Sequence, residues 1–119
     1  MTVTPPAPTA ATDAWTTVCA MAGLIPGRGV AALVDGRPVA IFWLGGDDVV
    51  AIDDVDPFTG VALLSRGLVG DSDGEPTVAS PLYKQRFALR SGRCLDDDAV
   101  ALRTWPARVR DGVIEVGGP

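Results

Sequence analysis

The side chains that most often do chemistry are scarce in this sequence, which has two cysteines, Cys19 and Cys94, and no histidine. Without histidine the chain cannot supply a Ser-His-Asp or Cys-His triad, or the imidazoles of haem, non-haem iron and mixed zinc sites. Two cysteines also fall short of the four thiolates of a cysteine-only zinc site or iron–sulfur cluster. Thr16, Thr17 and Ser65 have no base beside them, so no activated nucleophile is indicated. We therefore expect the isolated chain to have no catalytic activity.

The densest group of possible cation ligands is acidic and occupies one short stretch: Asp47, Asp48, Asp53, Asp54 and Asp56. Asp54 and Asp56 have the spacing of the first ligands of a calcium loop, but the acidic residue that such a loop needs at its last position is here Ser65. This mismatch excludes an EF-hand. We interpret the five aspartates, and the later Asp96–Asp98 run, as solvent-exposed turns.

A basic group follows in the second half of the chain, with no acidic residue among its members: Lys84, Arg86, Arg90 and Arg93. Such a group is either an ordinary charged strand face or a patch that orients a partner protein. Trp43 leaves a similar choice open, because tryptophan packs in cores and is also enriched at interface hot spots. Its neighbour Phe42 must point to the other side of a strand. The predicted docking surface therefore consists of Trp43 and the four basic residues.

Length and charge limit the class of protein. The chain has 119 residues, enough for one domain, and a net charge of −5. Nucleic-acid binding needs a basic surface, so nucleic acid is not expected as a partner. The longest strongly apolar run, 39–44, is far shorter than the ~18 residues of a membrane span, so no membrane contact is expected either. We expect a cytoplasmic chain in which Cys19 and Cys94 remain thiols.

The amino terminus is expected to form a disordered tail over residues 1–13, since it is rich in Thr, Pro and Ala and lacks the segments of a signal peptide. The predicted strands are Trp15–Val18, Val30–Val34, Arg37–Leu44, Val49–Ile52, Thr77–Ala79, Arg86–Leu89, Ala99–Arg103, Ala107–Arg110 and Val113–Val116. No segment has the amphipathic period of a helix. The sequence therefore predicts an all-β fold of antiparallel strands, a sandwich or partly open barrel.

Turn residues divide this fold into regular and irregular parts. Asp35-Gly36 and Asp111-Gly112 are typical of two-residue hairpin turns, because both residue types accept positive φ. Residues 53–92 are rich in Gly and Pro and predict a loop-rich excursion. Long loops of this kind usually have a functional origin.

The two ends of this excursion resemble the Rieske iron–sulfur domain. That family has a Cys-x-His loop and a Cys-x-x-His loop, the second often Cys-Pro-Leu-His; its two cysteines hold one iron and its two histidines hold the other. Here the first loop contains Asp-Pro-Phe at 56–58, and the second contains Ser-Pro-Leu-Tyr at 80–83. The resemblance extends from about Trp15 to Val116. It implies a Rieske-like domain over 14–119, with a degenerate cluster-binding subdomain over 53–92.

The resemblance also implies that four residues occupy the ligand positions: Asp56, Phe58, Ser80 and Tyr83. Phe58 has no lone pair, and Asp56 and Ser80 offer hard oxygens, whereas iron–sulfur clusters take thiolates and imidazoles. Cys19 and Cys94 lie outside both loops. We therefore expect no [2Fe–2S] cluster, and no other metal or cofactor, in this chain. The rings of Phe58 and Tyr83 are expected to fill the vacated space.

Within the superfamily, the chain is similar to the small subunits of bacterial NAD(P)H-dependent assimilatory nitrite reductases, which are small and often lack the cluster ligands. This implies an accessory subunit that supports a large subunit carrying FAD, an iron–sulfur cluster and sirohaem, which together reduce nitrite to ammonium. The alternative is a cluster-less structural or regulatory module of another redox complex, such as an oxygenase system.

Overall fold

The computed structural model describes residues 15–117, and its regular structure is almost entirely β. The strands are β1 Trp15–Ala20, β2 Gly29–Val34, β3 Arg37–Gly45, β4 Asp48–Asp53, β5 Leu68–Ser72, β6 Glu75–Ala79, β7 Arg86–Ala88, β8 Thr104–Trp105, β9 Ala107–Arg110 and β10 Val113–Gly117. Two single 3₁₀ turns accompany them, at Met21–Gly23 and Leu64–Arg66. The all-β class is confirmed. The predicted tail over residues 1–13 lies outside the described residues.

The strands form three antiparallel sheets, and none of them closes into a barrel. Their strand orders are β1-β10-β9, β2-β3-β4-β8 and β5-β6-β7. Both predicted hairpin turns are confirmed, with φ of 52° and 77° at Asp35 and Gly36 and of 53° and 78° at Asp111 and Gly112. These turns fix the registers of β2 with β3 and of β9 with β10.

Strand β3 separates two hydrophobic cores. Phe42 packs in the first core with Phe87 and Leu64, while its neighbour Trp43 packs against the second core, which contains Trp105. The opposite orientation of Phe42 and Trp43 is therefore confirmed. The first core lies between the β2-β3-β4-β8 sheet and the excursion, so burial of Phe42 and Phe87 holds the functional loops on the sheet.

The excursion is more regular than the sequence predicted. Residues 68–79 form a third Asp-Gly hairpin, β5-β6, with φ of 52° at Asp73 and 88° at Gly74. Strand β5 is mostly exposed and contains Gly70, so it lacks the apolar alternation that marks a strand. The predicted strand Ala99–Arg103 is wrong: this segment makes a single bridge through Ala101, and the strand begins at Thr104.

The Leu64–Arg66 turn packs closely against neighbouring backbone, and this requires glycine at positions 29 and 67. A Cβ on Gly29 would lie 2.3 Å from the carbonyl oxygen of Ser65, and a Cβ on Gly67 would lie 2.4 Å from that of Ala79. The turn therefore touches β2 on one side and the end of β6 on the other. Because Ala79 precedes Ser80, this contact also sets the position of the second loop.

We predict that Gly67→Ala destabilises the protein by about 2 kcal/mol, because the added methyl group overlaps backbone that cannot move independently. Gly23→Ala is the matched control, since a Cβ at Gly23 meets nothing within 4 Å. Urea unfolding of both variants measures the difference. Equal midpoints would contradict the close approach at Gly67.

Candidate functional site

The two loops that carry the family resemblance are each closed by their own backbone. In the first loop, the amides of Thr59 and Gly60 donate to the carbonyl of Asp56, at 3.2 and 2.7 Å. In the second loop, the Lys84 amide donates to the Ser80 carbonyl at 3.0 Å, and the Ser80 amide donates to the Gln85 carbonyl at 2.8 Å. Residues 81–83 consequently form the tip of the second loop.

A hydrogen bond between side chains joins the loops. Ser80 Oγ donates to Asp56 Oδ2 at 2.6 Å, and the Phe58 amide donates to Asp56 Oδ1 at 2.8 Å. Asp56 and Ser80 are both fully buried. A buried carboxylate must be hydrogen-bonded to be tolerated, so the loops are held together through Asp56. The structure thus brings together the two residues that sequence analysis placed at the cysteine positions.

Two neighbouring aspartates perform similar roles. Asp53 Oδ1 accepts a hydrogen bond from the indole nitrogen of Trp105 at 2.9 Å, and Asp54 Oδ1 accepts one from the Ser65 amide at 2.6 Å. Asp54 is buried, as Asp56 is, so the prediction that these aspartates lie in solvated turns is wrong for both. Aspartates in a Gly/Pro-rich stretch usually face water, and only the tertiary structure shows that these accept buried hydrogen bonds.

Phe58 and Tyr83, which were predicted to fill vacated space together, differ in environment. Phe58 is half-buried, and its ring centroid lies 6.2 Å from that of Phe87, within the range of aromatic contacts. Tyr83 is 64% exposed, so the prediction that its ring fills the interior is wrong. The hydrogen bonds of Ser80 with Lys84 and Gln85 place Tyr83 at the tip, directed away from the core.

The predicted docking residues do not form one free positive patch. Arg86 pairs with Asp96 at 3.2 Å and Arg90 pairs with Asp48 at 2.7 Å, so the expectation that these arginines lack acidic neighbours is wrong. The hydrogen bond from Arg86 lowers the pKa of the Asp96 carboxyl, and the hydrogen bond from Arg90 lowers the pKa of the Asp48 carboxyl.

The other predicted docking residues have different environments. Lys84 and Arg93 are exposed, and Trp43 is half-buried, with its indole nitrogen donating to the Gly46 carbonyl at 2.8 Å. Docking through this set remains a prediction.

The two cysteines lie on different sides of the central sheet. Cys94 is fully buried in the first core, and Cys19 packs at the margin of the second. Both are free, and partial burial raises the pKa of the Cys19 thiol. Neither side chain is part of the pair of loops.

The fold and the paired loops define a class of protein: residues 14–117 match the Rieske-like [2Fe-2S] domain family. The curated relatives are more specific. The chain is 45% identical over 105 residues to the NADH nitrite reductase small subunit of Salmonella typhimurium, an alignment that covers 87% of this chain and 97% of that one. The chain therefore belongs to the family of nitrite reductase small subunits.

A solved structure and a longer relative support the same family. The Mycobacterium tuberculosis structure, described as an NADH-dependent nitrite reductase small subunit, has 51% identity and a TM-score of 0.85, covering 88% of this chain and 95% of that chain. A Klebsiella oxytoca protein named as the large subunit of NAD(P)H nitrite reductase has 43% identity over 103 residues, covering 87% of this chain and 11% of its own. In that relative, a domain like this chain is part of the large subunit.

The residues present do not fit a [2Fe–2S] cluster. A cluster of this family takes thiolates and imidazoles. The loops offer instead a carboxylate and a hydroxyl bonded to each other, a phenyl ring against Phe87 and an exposed phenol. Among residues 15–117, no three His, Cys, Asp or Glu side chains are grouped to hold a metal ion.

We predict that Ser80→Ala destabilises the protein by about 2 kcal/mol, because it leaves Oδ2 of the buried Asp56 carboxylate without its donor. Tyr83→Ala is the control at another proposed ligand position, and its exposed ring should change the free energy of unfolding by less than about 0.5 kcal/mol. Chemical denaturation measures both. If both substitutions cost the same, the Asp56–Ser80 hydrogen bond does not hold the loops together.

Proposed function

We propose that this chain is the cluster-free small subunit of an NAD(P)H-dependent nitrite reductase, and that its function is to bind and support the large subunit. The single observation that carries the proposal is the Asp56–Ser80 hydrogen bond at 2.6 Å, in a chain 45% identical to a nitrite reductase small subunit. Because its loops are joined by this intramolecular hydrogen bond and contain no thiolate or imidazole, the proposed subunit carries no cluster of its own. Its role in an oxidoreductase is then association.

The proposed partner is the large subunit, to which the sequence resemblance assigns FAD, an iron–sulfur cluster and sirohaem. Support comes from the Klebsiella oxytoca relative, where a domain 43% identical to this chain is covalently part of a large subunit. Joining two units in one chain raises their effective concentration, which benefits units that already bind each other. We place the complex in the cytoplasm, where NADH and NADPH are available.

The relatives favour this function over the oxygenase alternative. The chain covers 97% of the Salmonella typhimurium small subunit, so the likeness includes the whole of that protein and not only a shared fold. Neither the Asp56–Ser80 pair nor the exposed Tyr83 points to an oxygenase.

We predict that the chain, tagged and expressed with the cognate large subunit, co-purifies with it as a stable complex that oxidises NADH or NADPH with nitrite. The isolated small subunit should show no turnover under the same conditions. Activity and gel filtration measure the two results. Recovery of an oxygenase component instead of the large subunit from the native cell would favour the alternative.

We also predict that the isolated chain takes up no [2Fe–2S] cluster when it is incubated anaerobically with iron and sulfide. The comparison is a variant that combines Asp56→Cys, Phe58→His, Ser80→Cys and Tyr83→His, which restores thiolates and imidazoles to both loops. Absorption spectra and iron analysis measure uptake. A wild-type chain with two irons would contradict the cluster-free assignment, whatever the variant does.

A further inference from the structure

Strand β2 is an edge strand without the usual protection against pairing. Proteins protect edge strands with charges, proline, bulges or short length. Among the described edges, β1 has a bulge at Thr17/Cys19, β5 carries Asp71, β7 and β8 have three and two residues, and β9 carries two arginines. Strand β2, Gly-Val-Ala-Ala-Leu-Val over 29–34, has six residues and none of these features, and the Leu64–Arg66 turn packs against it at Gly29.

The register shows which backbone groups of β2 face outward. The type I′ turn at Asp35-Gly36 makes Val34 and Arg37 a hydrogen-bonded pair. Because hydrogen-bonded and non-hydrogen-bonded pairs alternate along an antiparallel ladder, the backbone N–H and C=O groups of Ala32 and Val30 also point toward β3. Ala31 and Leu33 therefore present their N–H and C=O groups to the open edge. Pro38, opposite Leu33, has no N–H to donate, which agrees with this assignment. In the part of the chain that the structure describes, these outward groups have no backbone partner.

A groove runs beside this edge. It has a volume of about 430 Å³ and is lined by Ala31, Leu33, Pro38, Asp54 and Ala62, among others. Leu33 is 69% exposed. The small side chains along the groove leave room for apolar side chains of another segment, and the outward groups of Ala31 and Leu33 are placed to hydrogen-bond its backbone.

A second, positively charged cleft lies at the Gly29 end of β2. It has a volume of about 580 Å³ and is lined by Arg28, Ser65, Arg66 and Leu68 together with Gly27, Gly29 and Gly67. The ion pairs found among residues 15–117 involve Arg86, Arg90 and Arg108, not Arg28 or Arg66. Two unpaired arginines in one cleft of a chain of net charge −5 are complementary to a carboxylate, which the guanidinium binds in a bidentate manner.

We propose that an extended segment of the large subunit adds to the β2-β3-β4-β8 sheet at β2, with an acidic side chain in the cleft of Arg28 and Arg66. The inference rests on the proposed function for the identity of the partner. The ladder at Ala31 and Leu33 supplies backbone hydrogen bonds, the groove takes one or two apolar side chains, and the arginines set the register of the segment. Of the predicted docking arginines, Arg86 and Arg90 already have acidic partners, whereas no ion pair among residues 15–117 involves Arg28 or Arg66.

Amide hydrogen exchange at single-residue resolution tests the proposal directly. In the free chain, the amides of Ala31 and Leu33 should exchange rapidly and those of Ala32 and Val34 slowly, because only the latter pair is bonded to β3. Addition of the cognate large subunit should slow exchange at Ala31 and Leu33 by tenfold or more. A complex that forms with these two amides still exchanging rapidly, or with protection confined to residues 81–83, would overturn the inference and leave the proposed function intact.

Substitutions test the same surface through the dissociation constant of the complex. Leu33→Lys, and the double variant Arg28→Glu/Arg66→Glu, should each weaken binding by about tenfold or more, equivalent to about 1.4 kcal/mol. The controls are Thr17→Lys on the edge strand β1 and Arg110→Glu on the edge strand β9, both exposed, which should bind as the wild type does. Thermal unfolding of each variant shows that the fold is retained.

Two further outcomes separate the inference from the proposed function. If the wild-type chain does not bind the large subunit at all, the proposed function fails and the inference with it. If the chain alone forms a dimer that Leu33→Lys dissociates, the occupant of the β2 edge is a second copy, and the assignment to a segment of the large subunit is wrong. If the Arg28→Glu/Arg66→Glu variant binds the large subunit with the affinity of the wild type, the two arginines do not bind an acidic side chain of the partner, and that part of the proposal is wrong.

Discussion

The arrangement of the loops depends on three carboxylates at the end of β4. Asp53, Asp54 and Asp56 are almost consecutive, yet they accept hydrogen bonds from three separate parts of the chain: Trp105 in β8, Ser65 in the 3₁₀ turn and Ser80 in the second loop. Burial of Asp54 and Asp56 makes their hydrogen bonds obligatory, because an unsatisfied carboxylate in the interior costs several kcal/mol. One short segment thereby fixes how the sheets and loops fit together.

This arrangement explains how the paired loops keep their conformation with no metal ligand in them. In the family that the chain resembles, two cysteines on different loops hold one iron, and the metal joins the loops. Here Asp56 and Ser80 join the same two loops through a single hydrogen bond of 2.6 Å. Phe58 packing on Phe87 adds apolar burial on the core side. The scaffold is consequently stabilised by contacts that are formed by folding alone.

The parts of the fold that local rules decide were predictable. Asp35-Gly36 and Asp111-Gly112 determine their hairpins by residue type, and the opposite orientation of Phe42 and Trp43 follows from strand geometry. Asp73-Gly74 carries the same turn signal, but its flanking strand β5 is exposed and polar, so the hairpin depends on pairing across the sheet. The turn residues locate the turn but not the strand β5 that leads into it.

The parts decided by tertiary contacts were not predictable. Nothing in the sequence distinguishes buried Asp54 from a solvated aspartate, because its partner, the Ser65 amide, is eleven residues away. Tyr83 shows the reverse case: an aromatic residue at a ligand position suggests an interior ring, but backbone closure of the second loop places it at the surface. The ion pairs of Arg86 and Arg90 likewise join residues from different segments.

The absence of a redox group in this chain, as proposed, changes what its docking surface must do. An electron-carrying domain has to bring its cluster close to the acceptor, so the loops around the cluster must meet the partner. A chain that carries no electron has no such requirement, and its docking surface is free to lie on the scaffold. Strand β2 meets the physical needs of docking: outward backbone groups, an apolar groove and a pair of arginines with no internal acidic partner among the described residues. On this view, the loops stabilise the domain and the sheet edge binds the partner.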